Sequence, residues 1–174
     1  MKNADGDLMG GKKVDFVLTL EPDADFMRRI KKTLLLQTRE RQNLNQTTCE
    51  DVRNLPIFLN IETKIPNSGG EKADVQLSTW GYAGFTKMHQ LLGANGHPTD
   101  AIPAVPMVSA HGHDWHLAAL QERGEENLLM GRLALGTTET IQGIFQIMKA
   151  LDVLATWGHT KYKPWYLDKV IAVV

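Results

Sequence analysis

Hydrophobic positions along the chain follow two rhythms, one of two residues and one of three to four, and the rhythm changes from segment to segment. Val14, Phe16, Leu18 and Leu20 recur at every second position, with Asp15, Val17 and Thr19 between them. Successive side chains of a strand point to opposite faces, so this pattern predicts a strand over 13–20, buried on one face and mostly buried on the other. Pro22 closes it. Asp23 is placed to cap a helix over 24–37, in which Phe26 or Met27, Ile30 and Leu34 lie at helical spacing. Asn, Gln and Thr clusters over 38–54 predict a loop. Pro56 then opens an apolar run, Ile57-Phe58-Leu59-Asn60-Ile61, that ends in Glu62-Thr63-Lys64 and predicts a second, more deeply buried strand.

After a Gly-rich turn, Ala73, Leu77, Trp80, Gly84 or Phe85, Met88 and Leu91 or Leu92 predict the longest helix, over 71–92, with one stripe facing a sheet. The pattern predicts a loop over 93–103, then strands over 104–110, 115–120 and 128–135. A last long helix is expected over 139–156, begun by Thr137 or Thr138 with Glu139 and burying Ile141, Ile144, Ile147 or Met148, and Leu151. Gly158 is expected to stop it, before a short helix over 165–173. The order of elements predicts a mixed sheet with helices packed on it, in the α/β or α+β class.

Length and charge narrow the picture. The 174 residues suit one domain, expected over 13–174, preceded by a polar, Gly-rich segment over 1–12 that is expected to fray. A net charge of −1 gives no global field for nucleic acid, so any such attraction must be local. The lone Cys49 excludes an intramolecular disulfide, and neither a signal-peptide pattern nor an apolar run of roughly 18 residues is present. An intracellular protein, nuclear or cytoplasmic and off the membrane, is expected.

The candidate chemistry gathers at the end of the second strand. Glu62 and Lys64, two apart, emerge side by side on one face, an acid and a base on a rigid element. Gln76 and Trp80, four apart, stack on one side of the following helix. Asp15 sits on the strand expected to pair with Glu62. Phosphodiester hydrolysis needs a divalent cation and a water aimed in line with the scissile bond, and Mg²⁺ takes hard oxygen ligands, one or two carboxylates among them.

Asp15 with Ile61-Glu62-Thr63-Lys64 and Ala73-x-x-Gln76-Leu77-x-x-Trp80 resembles the PD-(D/E)xK nuclease superfamily, in particular a fungal, RecB-like group. Gly112-His113-Asp114-Trp115, Leu135-Gly136-Thr137-Thr138, Gly143-Ile144 and Trp157 are similar to the same group. The resemblance implies a restriction-endonuclease-like core, a mixed central sheet flanked by helices, here without the first helix of that fold. It implies DNA as partner and Mg²⁺, or Mn²⁺ in its place, as cofactor. Asp15, Glu62 and the Thr63 carbonyl would hold the metal, Lys64 would activate or orient the water, and Gln76 would position substrate or the lysine. Gln76 and Trp80 match the Q-x-x-x-Y spacing of the RecB-like branch at large, with Trp80 in place of its tyrosine, keeping a stacking face without the hydroxyl.

Arg28, Arg29, Lys31 and Lys32, continued by Arg39 and Arg41, form a positive stretch suited to phosphate or to the solvated face of a helix. Two alternatives stay open beside the nuclease. One is an inactive nuclease-fold module that binds nucleic acid or protein without cleaving. The other is a zinc hydrolase using His111, His113 and His116, which resembles the H-x-H-x-D-H run of metallo-β-lactamase-type enzymes, although Trp115 fills the slot of the aspartate. Strand alternation puts His111 and His113 on one face and His116 on the other. Tyr162, Trp165 and Tyr166 among lysines suit either base stacking or a docked terminal helix.

Overall fold

The computed structural model describes residues 14–39, 42–66, 70–98, 101–124 and 126–171. The segment over 1–12 expected to fray lies outside the described residues. Among the described residues five strands form one sheet in chain order: β1 (Phe16–Thr19), β2 (Ile57–Lys64), β3 (Val105–His111), β4 (Asp114–Arg123) and β5 (Glu126–Thr137). All neighbouring pairs are antiparallel except β2 and β3, which run parallel. A parallel pair needs a long crossover, and α2 (Gly70–Ala94) supplies it. This is the mixed α/β sheet the pattern predicts.

Register fixes which side chains share a face. On β2, Asn60, Glu62 and Lys64 pair with Met107, Ser109 and His111 of β3, and these with Ala118, His116 and Asp114 of β4. Helix α2 lies on that face: the Trp80 indole donates to Asn60 Oδ1 at 2.9 Å. Gly81 lets the helix approach closely, because a Cβ there would run into the Leu120 and Met107 side chains. Leu77, Leu91, Leu92 and Met107 are fully buried between α2 and the sheet, and Leu59 and Val108 on the opposite face, each contributing about 1.5–3 kcal/mol of burial.

Helix α1 (Ala24–Leu35) begins as expected, with the Phe26 amide donating to Asp23 Oδ1 at 2.9 Å. Helix α3 (Ile141–Trp157) departs from expectation. Thr140, not Thr137 or Thr138, is its cap, accepting from the Gly143 amide. Gly143 and Ile147 are its buried residues, while Ile141, Ile144 and Met148 are exposed. A Cβ on Gly143 would clash with the Thr137 backbone, so the glycine, rather than the isoleucine stripe, sets the angle at which α3 meets β5. Gly158 does not stop the helix: its backbone stays right-handed, and the chain continues through π-helical turns to Val170. Gly158 instead lies against the Phe58 ring. Phe16, expected inside, is 61% exposed, because β1 is the edge strand.

Candidate functional site

The end of β2 carries a cluster of polar groups that the sheet and α2 enclose. Glu62 is 1% exposed. Its Oε1 accepts from Lys64 Nζ, and Lys64 Nζ also donates to Gln76 Oε1 at 3.1 Å. Lys64 is therefore gripped from both sides, by its own strand and by the first turns of α2. Glu62 Oε2 is buried with no hydrogen-bond partner.

Asp15 directly precedes β1, whose register pairs Phe16 with Ile61 and so places Asp15 across from Glu62. Asp15 Oδ2 accepts from the Thr63 amide at 2.8 Å and from the Thr63 hydroxyl at 2.6 Å. Both bonds land on one oxygen, and Oδ1 takes part in neither. The Thr63 hydroxyl is the main reason the Asp15 carboxyl is held below its ordinary range, with the Thr63 amide and Lys64 adding to it against desolvation. Glu62 moves the other way. Burial pushes its carboxyl up, the Lys64 hydrogen bond opposes this, and the negative charge of Asp15 adds to the rise. The negative charge of the exposed Asp15 thus acts on the buried Glu62 carboxyl.

This donor set fits a hard divalent cation. It offers oxygen ligands only, one of them a buried carboxylate oxygen with no partner, and the like-charge repulsion between Asp15 and Glu62 is what a bound cation would offset. A family model described as the PD-(D/E)XK nuclease superfamily matches residues 2–163. The chain belongs to that superfamily. Neither a curated protein nor a solved structure matches it. The mixed sheet agrees with the restriction-endonuclease-like fold of PD-(D/E)XK proteins.

Other residues singled out in the sequence fall elsewhere. Trp80 is 8% exposed, its indole held by Asn60, so burial leaves it no open face on which a base could stack. Arg28 pairs with Asp25 at 3.0 Å, and Arg29 donates to the Leu167 carbonyl at 2.6 Å, docking α1 on the C-terminal helix. Lys31 and Lys32 are exposed on α1; Arg41 lies outside the described residues. Tyr162 and Tyr166 are buried, which makes the C-terminal aromatic run a docked helix rather than a stacking platform. No helix among the described residues is long and apolar enough to cross a membrane.

The histidines are arranged differently from the expected alternation. Gly112, with φ of +59°, and His113 form a two-residue turn between β3 and β4. Alternation holds within one strand and is reset at a hairpin, so His116 returns to the face of His111, and their ring centroids lie 6.4 Å apart. His113 sits at the turn and shares a hydrogen bond with the Thr138 hydroxyl at 2.7 Å. No group of three His, Cys, Asp or Glu able to hold a metal occurs among the described residues, which removes the zinc reading. Sequence reasoning missed that His111 lies beside Lys64 and that His116 shares their face, one strand beyond Ser109 in the row of Glu62. Reading Gly112-His113 as a hairpin turn would have found it.

Proposed function

We propose that this PD-(D/E)XK protein is a Mg²⁺-dependent nuclease acting on DNA, with Mn²⁺ able to substitute. The observation that carries the reading is the buried Glu62 carboxylate, which has one oxygen on Lys64, the other without a partner, and the charge of Asp15 acting on it. Asp15 Oδ1, Glu62 Oε2 and the Thr63 carbonyl would hold the metal. When bound, the cation offsets negative charge at the phosphoryl oxygens and favours ionisation of the attacking water.

The chain's own residues do the rest. Thr63 fixes Asp15 Oδ2, so that Oδ1 is presented in one orientation. Gln76 holds Lys64 Nζ at the site, where the ammonium orients the water and stabilises charge on the phosphoryl group. The water oxygen attacks phosphorus, the bond to the leaving oxygen breaks, and the water proton ends on that oxygen.

A second reading, a nuclease-fold module that binds nucleic acid or protein without cleaving, draws on the same contacts. Asp15 Oδ2 is taken by Thr63 and Glu62 Oε1 by Lys64. Incubating the purified chain with plasmid and single-stranded DNA, with and without Mg²⁺ or Mn²⁺, separates the two. Metal-dependent nicking that disappears in Glu62→Ala and Lys64→Ala is the expected result. Equal cleavage by the variants would assign the activity to another source, and no cleavage by the parent chain would leave the binding module.

A further inference from the structure

We propose that His111, His116 and Arg132 form a phosphate clamp that holds the nucleic-acid strand beside the Glu62–Lys64 centre. The inference rests on the nuclease reading for its ligand class, and on geometry for its residues. Register lays out two rows across the sheet: Glu62, Ser109 and His116 in one, and Lys64, His111 and Asp114 in the next. Neighbouring strands are about 5 Å apart, so His111 is one strand step from Lys64, and His116 two steps from Glu62. That extends the site along the sheet by a distance suited to a flanking phosphate.

His111 Nε2 and His116 Nδ1 are both buried and have no hydrogen-bond partner. Such atoms cost free energy when left unmet, and here two of them occur side by side on the face of the candidate site. Arg132 reaches from β5 to Asp74 on α2 at 3.9 Å, a long and half-exposed pair that a better acceptor would displace. Burial, with Arg132 next in weight, keeps the His111 imidazole below its ordinary value, and Asp74, His116 and Lys64 also act on it.

The occupant is an anion. The positive Arg132 and Lys64 near the imidazoles oppose a second cation, and the described residues supply no third metal ligand with the pair. Phosphodiester oxygens accept from imidazolium and from guanidinium, the latter in bidentate fashion. The charged and titratable groups around His111 are Lys64 on β2, Asp74 on α2, His116 and the register partner Asp114 on β4, and Arg132 on β5. A phosphate there raises the imidazole pKa on binding, so affinity should rise as pH falls from about 8 to about 6.

The test is fluorescence anisotropy of the full chain with labelled single-stranded and duplex DNA, with divalent metal chelated so that binding is read without cleavage. His111→Gln/His116→Gln should bind about tenfold more weakly and lose the gain in affinity at lower pH. Arg132→Gln, at a half-exposed position that spares the fold, should lower the slope of log affinity against log salt by about one. Wild-type affinity, pH response and salt slope in these variants would overturn the clamp, as would failure of the parent chain to bind either DNA. Cleavage in Mg²⁺ is scored separately. Clamp-dependent binding without metal-dependent cleavage sinks the nuclease reading alone, and cleavage with unaffected binding sinks the clamp alone.

Discussion

Asn60 and Glu62 stand two residues apart on β2, on the same face and under the same helix, and solvent reaches neither: they are 2% and 1% exposed. They differ in how their polar atoms are met. Asn60 Oδ1 accepts from the Trp80 indole, and its amide donates to Met107 Sδ at 3.6 Å. Glu62 has Lys64 on one oxygen and nothing on the other. An unmet buried polar atom costs about 1–3 kcal/mol, and more when charged. The Asn60 end of the strand is thus closed and structural. The Glu62 end keeps an unfavourable arrangement that a bound cation would relieve, which is the signature expected of a site rather than of a core.

Breaking the closed end should have the largest effect. Trp80→Ala removes a buried aromatic and strips Asn60 Oδ1 of its donor, so a stability loss of about 3–5 kcal/mol is expected in urea denaturation. Unchanged stability with weakened binding to single-stranded DNA would instead return Trp80 to the stacking role expected from its sequence position.

At the open end the same kind of change should act in the opposite direction. Glu62→Gln removes a buried carboxylate whose ionisation the fold disfavours, and stability at neutral pH should rise by about 1 kcal/mol while metal-dependent cleavage is lost. The Glu62 carboxyl titrates higher in the folded chain than its ordinary 4.5. The folded state therefore holds that proton longer, and wild-type stability falls as pH rises from the unfolded value through the raised one. The advantage of the glutamine variant should be absent below that interval and full above it. Mg²⁺ should raise the melting temperature of the wild type and leave the variant unmoved. A destabilised variant would mean that the Lys64 ion pair outweighs the burial.

The comparison also explains what could be read from the chain. The Glu62 and Lys64 parity, the crossover helix and the Asp23 cap follow from local spacing, and each appears in the structure where periodicity puts it. What periodicity cannot carry is the meeting of elements. Whether Trp80 faces a base or Asn60 depends on how α2 lies over the sheet, which Gly81 decides by contact with Leu120 and Met107. The pairing of His111 with His116 depends on a positive φ at Gly112. The exposed Ile141, Ile144 and Met148 show that helical spacing identifies a stripe without saying what it meets. Asp15 was legible as an acid on a strand, but its attachment to Thr63 arises from strand register.

That attachment gives the smallest expected effect and the finest division between the two ends of β2. Thr63→Val deletes the hydroxyl bond to Asp15 Oδ2 and keeps the amide bond. Both side chains are exposed, so the stability cost should stay under ~1 kcal/mol. Its pH dependence has a definite sign. Asp15 is depressed in the folded chain, so its contribution is present above the unfolded value and is lost as pH falls through the folded one. The difference between wild type and variant should therefore be seen at neutral pH and vanish in acid. In an NMR titration the Asp15 carboxyl of the variant should move up toward the ordinary aspartate value. A carboxylate held by one bond instead of two presents Oδ1 less consistently, so cleavage should need more Mg²⁺ to reach the same maximal rate. A lower maximal rate at saturating Mg²⁺ would instead place Thr63 in the chemistry itself. An unmoved Asp15 titration would show that the amide alone orients the carboxylate.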